Sequence, residues 1–345
     1  MSMEPSRAPS RWKLPGWVPQ AFGYCLSAAC LFWVLHRFPI KEIIPAIRSL
    51  DWRWVSLAVI SDLAVYVIHA WRWNTLLAPV MRIRIWSTVQ AIYIGLFANE
   101  VLPLRTGEVI RVYLLCHWND LLLSVGFASI AIERLIDGFW MIVAFLITAT
   151  FVKGIPRDIS ILVQLLGTLI LAGAVLLVWI VRRKQDAHAA IAESRWSATL
   201  RHVIEGFHTM GNPRTIGLTT LISLFYLVMQ FVSVYALMKA YGLDLSFWAA
   251  GGVITIVRFG TVVPNAPGNL GLFQAACVLA LGLFDVETND AKIFSFIVFF
   301  ALTLPLLVGG AVATALSGLK IGDLRDRAHR SVKSAHGQHS DVSRV

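Results

Sequence analysis

Charged side chains are scarce in this chain of 345 residues. Only 14% of the residues are Asp, Glu, Lys or Arg, whereas 57% are hydrophobic and the mean hydropathy is +0.69. A water-soluble domain carries about 25% charged residues, so the composition excludes a soluble globular protein and predicts an integral membrane protein. The net charge of +10 does not indicate a nucleic-acid partner, because the basic residues lie in loops and tails beside apolar runs. There they orient a membrane protein and attract anionic lipid headgroups.

Metal-binding patterns and long polar segments are also missing. The four cysteines (Cys25, Cys30, Cys116 and Cys277) lie in or beside apolar runs without the paired spacing of a zinc site. The nine histidines form no metal pattern either. The longest polar stretch, 182–213, has about 30 residues, fewer than the roughly 50 of a minimal domain. The sequence therefore predicts no metal, no cofactor and no soluble catalytic domain.

Two stretches of the chain, 161 residues apart, resemble copies of one structural unit. Trp86–Pro103 is an apolar run that ends at a proline and is followed by a turn containing Gly107. Phe247–Pro264 repeats this arrangement, with Gly268 at the position of Gly107 and no gap in the alignment. In a membrane protein, two matching interrupted hydrophobic segments are the best sequence indication of a transport site.

Each interrupted segment is predicted to form a helical hairpin that enters and leaves the membrane on the same side. The second arms, Gly107–Trp118 and Gly268–Phe284, are shorter than the roughly 20 residues of a membrane span. We therefore predict re-entrant hairpins over 86–118 and 247–284. Irregular backbone at membrane depth requires cover by protein or a wet cavity, so both turns are expected in the protein interior.

The other apolar runs predict an all-α polytopic membrane protein with about six transmembrane helices plus the two hairpins. The transmembrane domain is expected over 17–319, between disordered tails at 1–16 and 320–345. Residues 182–213 form an amphipathic cytoplasmic segment that fits either a helix on the membrane surface or a cap packed on the bundle. The crossings are predicted near residues 18–36, 54–71, 121–151, 159–181, 214–240 and 291–318.

The number of crossings and the positions of the basic residues predict the orientation. Three crossings lie between the hairpins, so the second hairpin enters from the opposite side and the repeats are inverted. Six crossings place both termini on one side of the membrane. If Arg72, Arg82 and Arg84 form a loop after the second span, that side carries 18 basic residues and the other side carries 8. Positively charged loops stay inside. Both termini are therefore predicted to be cytoplasmic, in a bacterial inner membrane.

Four arginines are predicted at membrane depth: Arg105, Arg111, Arg134 and Arg258. An ion at that depth is costly and is a functional candidate by default. Arg105 lies in the turn of the first hairpin, beside the N-terminus of the helix that follows. A guanidinium next to the free N–H groups of a helix suits a phosphate. The alternative is that Arg105 pairs with Glu108 and fixes the turn.

Glu133, Arg134 and Asp137 form a second group of charges, midway along an apolar stretch. Glu133 and Asp137 are one helical turn apart on one face, and Arg134 lies on an adjacent face. Charges at this depth need partners. The expected partners are Arg105 and Arg111 for the two carboxylates and Glu108 for Arg134. Two interpretations stay open: a proton-coupling carboxylate pair, or a purely structural network that holds the hairpin.

The turn of the second hairpin is neutral. Gly268 and Gly271 permit a tight backbone, and Asn265 and Asn269 offer hydrogen bonds. Arg258 lies two helical turns earlier. It is expected to supply the charge on the outer side of the membrane, to which the second hairpin is predicted to open.

Three motifs in combination resemble those of a known family. The run Asn99–Arg111 resembles the motif Asn…Pro-x-Arg-x-Gly-Glu-x-x-Arg, residues 133–137 resemble a second motif, and 264–271 a third. Together they resemble the lysylphosphatidylglycerol synthase transmembrane-region family, also called flippase-like or UPF0104, over about 15–320. That family includes the membrane half of the bacterial multiple peptide resistance factor, an archaeal protein tied to dolichol-linked glycosylation, and hopanoid-associated members.

The resemblance implies lipid translocation, or service to a lipid-modifying enzyme. We therefore predict a flippase- or scramblase-type transporter of a phospholipid or other anionic or zwitterionic lipid. Substrate binding is assigned to Asn99, Arg105, Glu108 and Arg111. A switching charge network is assigned to Glu133, Arg134 and Asp137. The gate at the second hairpin is assigned to Arg258, Pro264, Asn265, Pro267, Gly268, Asn269, Gly271 and Gln274.

Gln274 is a departure from the family pattern, because family members often carry Glu at this position. If that Glu takes part in coupling, this chain couples differently or scrambles lipid passively. Two other functions are compatible with the sequence: a component of a lipid-modifying synthase or glycosyltransferase, and a scaffold that recruits lipid-biosynthesis enzymes through 182–213 or the tails. The expected partner is a membrane lipid, with a lipid-biosynthesis enzyme or a second copy of the chain as further possibilities.

Overall fold

The computed structural model describes residues 18–102, 106–150, 209–261 and 266–318, with a few positions between 161 and 175. Within these ranges the chain is all-α, as predicted, and has no strand. The helices are α1 Val18–Leu35, α2 Ile40–Arg48, α3 Trp52–Leu77, α4 Ile85–Val101, α5 Gly107–Trp118, α6 Leu123–Ala149, α7 Pro213–Tyr241, α8 Phe247–Gly260, α9 Leu272–Gly282 and α10 Thr288–Leu316.

Among the described residues, three helices are long and apolar enough to cross a membrane: α3, α7 and α10. Helix α6 has 27 residues but contains the three charges of residues 133–137. Helices α1 and α2 form a pair bent by 81°. Helix α2 was not predicted; its residues were assigned to a loop. Several apolar helices thus fit a polytopic membrane protein, while the exact number of crossings and the orientation stay predictions.

Helices α3–α6 and α7–α10 are two copies of one arrangement. The contacts of α3 with α4, of α4 with α5 and of α5 with α6 recur between α7 and α8, α8 and α9, and α9 and α10. Across the two copies, α4 packs on α10 as α6 packs on α8, and α3 packs on α7. The N-caps also correspond: the side chain of Asp51 accepts from the N–H of Arg53, and that of Asn212 accepts from the N–H of Arg214.

The hairpin arms are short, as the sequence predicts. Helices α4, α5, α8 and α9 have 17, 12, 14 and 11 residues, and the two arms of each hairpin pack on each other. Each copy has its own apolar core, centred on Trp73, Leu114 and Leu115 in the first and on Leu237, Leu281 and Phe294 in the second.

The prediction for Arg72 was wrong. Helix α3 continues to Leu77, so Arg72 lies inside the helix, 1% exposed, rather than in a loop. One basic residue therefore leaves the count on the N-terminal side. Several predictions concern residues outside the described ranges. These are the predictions for both tails, most of the span at 159–181, nearly all of 182–213, and Arg105, Pro264 and Asn265.

Candidate functional site: a polar cavity between the hairpins

A polar cavity lies where the two hairpins meet. It consists of chambers of about 240 and 270 Å³ that share Glu100, Arg258, Gly268 and Asn269 in their walls. Among the described residues, those that line the larger chamber all belong to the two hairpins, whereas the smaller chamber extends between α3, α7 and α10. Described residues of both hairpins therefore face the protein interior, and the two copies build one site together.

The first hairpin turn depends on a close approach of its arms. The backbone N–H of Gly107 donates to Oδ1 of Asn99 at 2.8 Å, which satisfies one free donor at the start of α5. A Cβ on Gly107 would lie 1.8 Å from the carbonyl oxygen of Gly95, so only glycine fits. Asn99 and Glu108 both line the larger chamber. Asn99 thus shapes the turn as well as the cavity wall.

The second hairpin turn is built from left-handed backbone. Gly268 has φ +67° and Asn269 has φ +56°, immediately after Pro267 opens a short 3-10 turn. A Cβ on Gly268 would lie 2.8 Å from Oε2 of Glu100 on the first hairpin. The two hairpins are therefore in direct contact, and the glycine makes room for Glu100.

Gly271 and Gln274 face α1. Oε1 of Gln274 accepts from the N–H of Gly271 at 2.7 Å, and the Gln274 side chain is fully buried. A Cβ on Gly271 would lie 2.2 Å from the carbonyl oxygen of Ser27. The Ser27 hydroxyl also accepts from the N–H of Ala266 at 2.9 Å. Helix α1 therefore covers this side of the turn, while the gate role assigned to these residues stays a prediction.

A buried network of charges adjoins the cavity and is centred on Glu133. Its Oε1 lies 2.7 Å from Arg72, 3.2 Å from Arg111 and 2.6 Å from His69 Nε2. Arg72 also pairs with Asp137. These contacts connect helices α3, α5 and α6.

The exposed edge of the network is formed by Arg134. This side chain pairs with Glu108 and lies 3.5 Å from Asp137. The predicted pairs Arg111–Glu133 and Arg134–Glu108 are both present, whereas Asp137 pairs with Arg72 and Arg134. Three guanidinium groups and three carboxylates thus balance one another.

Sequence reasoning missed Arg72 and His69. Arg72 stands between Trp71 and Trp73, a flanking that is typical of a membrane interface and is consistent with the loop to which Arg72 was assigned. The signal that could have found them is helical spacing, because His69 and Arg72 are three residues apart and share the buried face of α3 with Val65.

Tyr226 of α7 connects the network with the cavity. The Arg72 guanidinium lies 4.7 Å from the centre of its ring and that of Arg258 lies 5.9 Å from it. The same ring lines the smaller chamber. One aromatic side chain therefore lies within cation–π distance of a network arginine and of the cavity arginine.

Comparison with known proteins identifies the family of this chain. A family model described as "Lysylphosphatidylglycerol synthase TM region" matches residues 20–310. The chain belongs to this family. A UPF0104 membrane protein of Methanothermobacter thermautotrophicus is 24% identical over 280 residues, which cover 76% of this chain and 82% of that protein.

A second relative is larger than this chain. Glycosyltransferase AglD of Haloferax volcanii is 21% identical over 364 aligned residues, which cover 90% of this chain and 58% of that protein. The chain therefore spans well under two thirds of that relative. No solved structure matches the chain.

Proposed function

We propose that the protein translocates a lipid with an anionic or zwitterionic headgroup between the leaflets of a bacterial inner membrane. The observation that carries this proposal is the polar cavity to which the hairpins of both copies contribute. In transporters built from inverted repeats, the substrate site lies at the repeat interface and opens to each side in turn. Membership of the family supports a membrane role in lipid or glycan-related processes.

The headgroup phosphate is assigned to Arg258 and Arg105. Arg258 lines both chambers, and Arg105 stands in the sequence between α4 and α5. Arg111, in contrast, contacts Glu133 and lies over the ring of Trp73 at 4.9 Å. We therefore give Arg111 a positioning role at the first hairpin rather than direct contact with the lipid.

The test is leaflet exchange of labelled lipids in liposomes that contain the purified protein. Arg258→Ala and Arg105→Ala are each expected to slow exchange by about ten- to hundred-fold, since a charged hydrogen bond is worth roughly 1.5–3 kcal/mol. Arg214→Ala is the matched control, because Arg214 is exposed at the start of α7. A panel of headgroups identifies the substrate. Wild-type rates in both cavity variants would contradict the assignment.

Glycosyl transfer to a lipid is the second candidate, because one relative is named a glycosyltransferase. The purified protein would then transfer label from a nucleotide sugar to a lipid acceptor. Transfer of label without leaflet exchange would replace the transport proposal.

A further inference from the structure

Asp62 is a buried carboxylate that the sequence analysis did not single out. It lies within α3, is 7% exposed and lines the smaller chamber together with Arg258. Its Oδ2 atom is buried and has no hydrogen-bond partner among the residues that the structure describes. A carboxylate without a paired cation at membrane depth is costly and is relieved when it carries a proton.

The wall beside Asp62 is polar and only partly hydrogen-bonded. Gln230 of α7 is 6% exposed, and within the described ranges neither its amide oxygen nor its amide nitrogen has a partner. Ser233, also on α7, lines the same chamber, and its hydroxyl lies 2.9 Å from that of Ser61. A chamber of about 240 Å³ with such walls has room and partners for water. Water molecules beside Asp62 would give this side chain a partner for proton exchange.

Four helices present titratable or charged groups to Asp62. These groups are Tyr66 on α3, Tyr93 and Glu100 on α4, Tyr226 on α7 and Arg258 on α8. The part of α10 that lines the chamber carries Thr303 and apolar side chains. Arg258 is thus the cation of this chamber within the described ranges, and its own contacts determine how well it stabilises an ionised Asp62.

Glu133 and Asp137 are placed differently from Asp62. Glu133 is held by Arg72 and Arg111, and Asp137 is held by Arg72. Both carboxylates therefore have fixed counter-charges, and neither lines a chamber of the cavity. A group that exchanges protons during a transport cycle needs access to water and a counter-charge that changes. Asp62 lines the chamber, and the cation that faces it there, Arg258, is the one assigned to the headgroup phosphate.

We propose that Asp62 takes up one proton when a lipid phosphate binds Arg258 and releases it when the phosphate leaves. The inference rests on the proposed function. A bound phosphate neutralises the guanidinium, so a carboxyl oxygen of Asp62 accepts a proton from a hydronium ion in the chamber: one O–H bond of the hydronium breaks, an O–H bond forms on Asp62, and a water molecule is left. After the lipid leaves, Arg258 again stabilises the carboxylate and the proton returns to water. Lipid and proton consequently move in the same direction.

The test uses the full-length protein in liposomes with labelled phosphatidylglycerol as the probe and Asp62→Asn as the variant. Asp244→Asn is the matched control, because the side chain of Asp244 is 99% exposed in a loop. Exchange is measured with and without an imposed proton gradient. The infrared carbonyl band of protonated carboxylic acid is followed as the pH is changed and as lipid is added.

The expected result is a several-fold acceleration by a proton gradient in the wild type and in Asp244→Asn, and none in Asp62→Asn. A carboxylic acid band should grow when lipid is added and be missing only in Asp62→Asn. The inference is overturned if the rate of wild-type exchange does not change with the proton gradient, or if the gradient also accelerates exchange in Asp62→Asn. Either result leaves the proposal of lipid translocation intact.

The infrared titration separates the two proposals. If the wild type moves no lipid of the headgroup panel, lipid translocation fails. A titrating band that is lost only in Asp62→Asn then still supports a proton site at Asp62, and a spectrum without that band overturns it. If Asp62→Asn folds but moves no lipid, the same band decides whether Asp62 binds a proton: a band that is lost only in this variant supports the proton site, and a wild-type spectrum without the band overturns it.

Discussion

Arg72 and Glu133 form an ion pair that is buried on both sides: Nη2 of Arg72 lies 2.7 Å from Oε1 of Glu133, and each side chain is 1% exposed. The pair joins α3 to α6, and Arg111 extends it to the first hairpin. Such a pair adds little stability over well-packed apolar residues, but removal of one partner leaves an uncompensated charge in the interior.

Arg72→Ala is therefore expected to lower the free energy of unfolding by about 3–5 kcal/mol. Arg134→Ala should cost less, since the Arg134 side chain is 49% exposed and that of its partner Glu108, which lines the larger chamber, is 37% exposed. The measurement is the midpoint of thermal unfolding in detergent, followed as the loss of the monodisperse peak. Equal losses in the two variants would mean that burial does not govern the network.

Gly107→Ala should prevent the first hairpin from closing. The added methyl group would lie 1.8 Å from the carbonyl oxygen of Gly95, and backbone cannot yield as a side chain can. Gly217→Ala in α7 is the matched control, because among the described residues no atom outside the surrounding turns of α7 lies within 4 Å of its Cβ position. That change should stabilise the helix by about 0.5–1 kcal/mol. The yield of folded protein distinguishes the two, and a well-folded Gly107→Ala protein would refute the close contact.

The features that could be predicted from the sequence are those that follow from the spacing of residues and from the positions of charges. The hairpins follow from the repeated position of Gly107 and Gly268. The pairs Arg111–Glu133 and Arg134–Glu108 follow because isolated charges in an apolar setting must find opposite charges. The role of Arg72 was lost because aromatic residues on both sides of an arginine are typical of a membrane interface as well as of a buried helix face.

Other parts of the site depend on tertiary contacts that no local pattern reveals. Ser27 accepts from the N–H of Ala266 across 239 residues of sequence, so the covering of the second turn by α1 was not predictable. Asp62 also escaped notice, because a single aspartate in an apolar run has the same pattern whether its surroundings are an ion pair or a cavity.

Gln274 offers a test of the covered side of the second hairpin. Gln274→Leu should cost about 1–3 kcal/mol, because the buried N–H of Gly271 loses its acceptor. Gln274→Glu keeps a side-chain oxygen at that place and is expected to lose less. Thermal unfolding of both variants checks this order. A leucine variant as stable as the wild type would show that the hydrogen bond is dispensable.

Tyr226 is expected to couple the charge network to the cavity. The centre of its ring lies 4.7 Å from the guanidinium of Arg72 and 5.9 Å from that of Arg258, and a cation–π contact is worth about 0.5–2 kcal/mol. Tyr226→Leu should therefore slow lipid exchange by roughly two- to thirty-fold while the protein stays folded. Tyr226→Phe retains the ring and should retain the rate, which separates the aromatic face from the hydroxyl. If the leucine variant exchanged lipid as fast as the phenylalanine variant, the ring would not be needed to position Arg258. The link between the charge network and the cavity would then have to pass through Glu108, which pairs with Arg134 and lines the larger chamber.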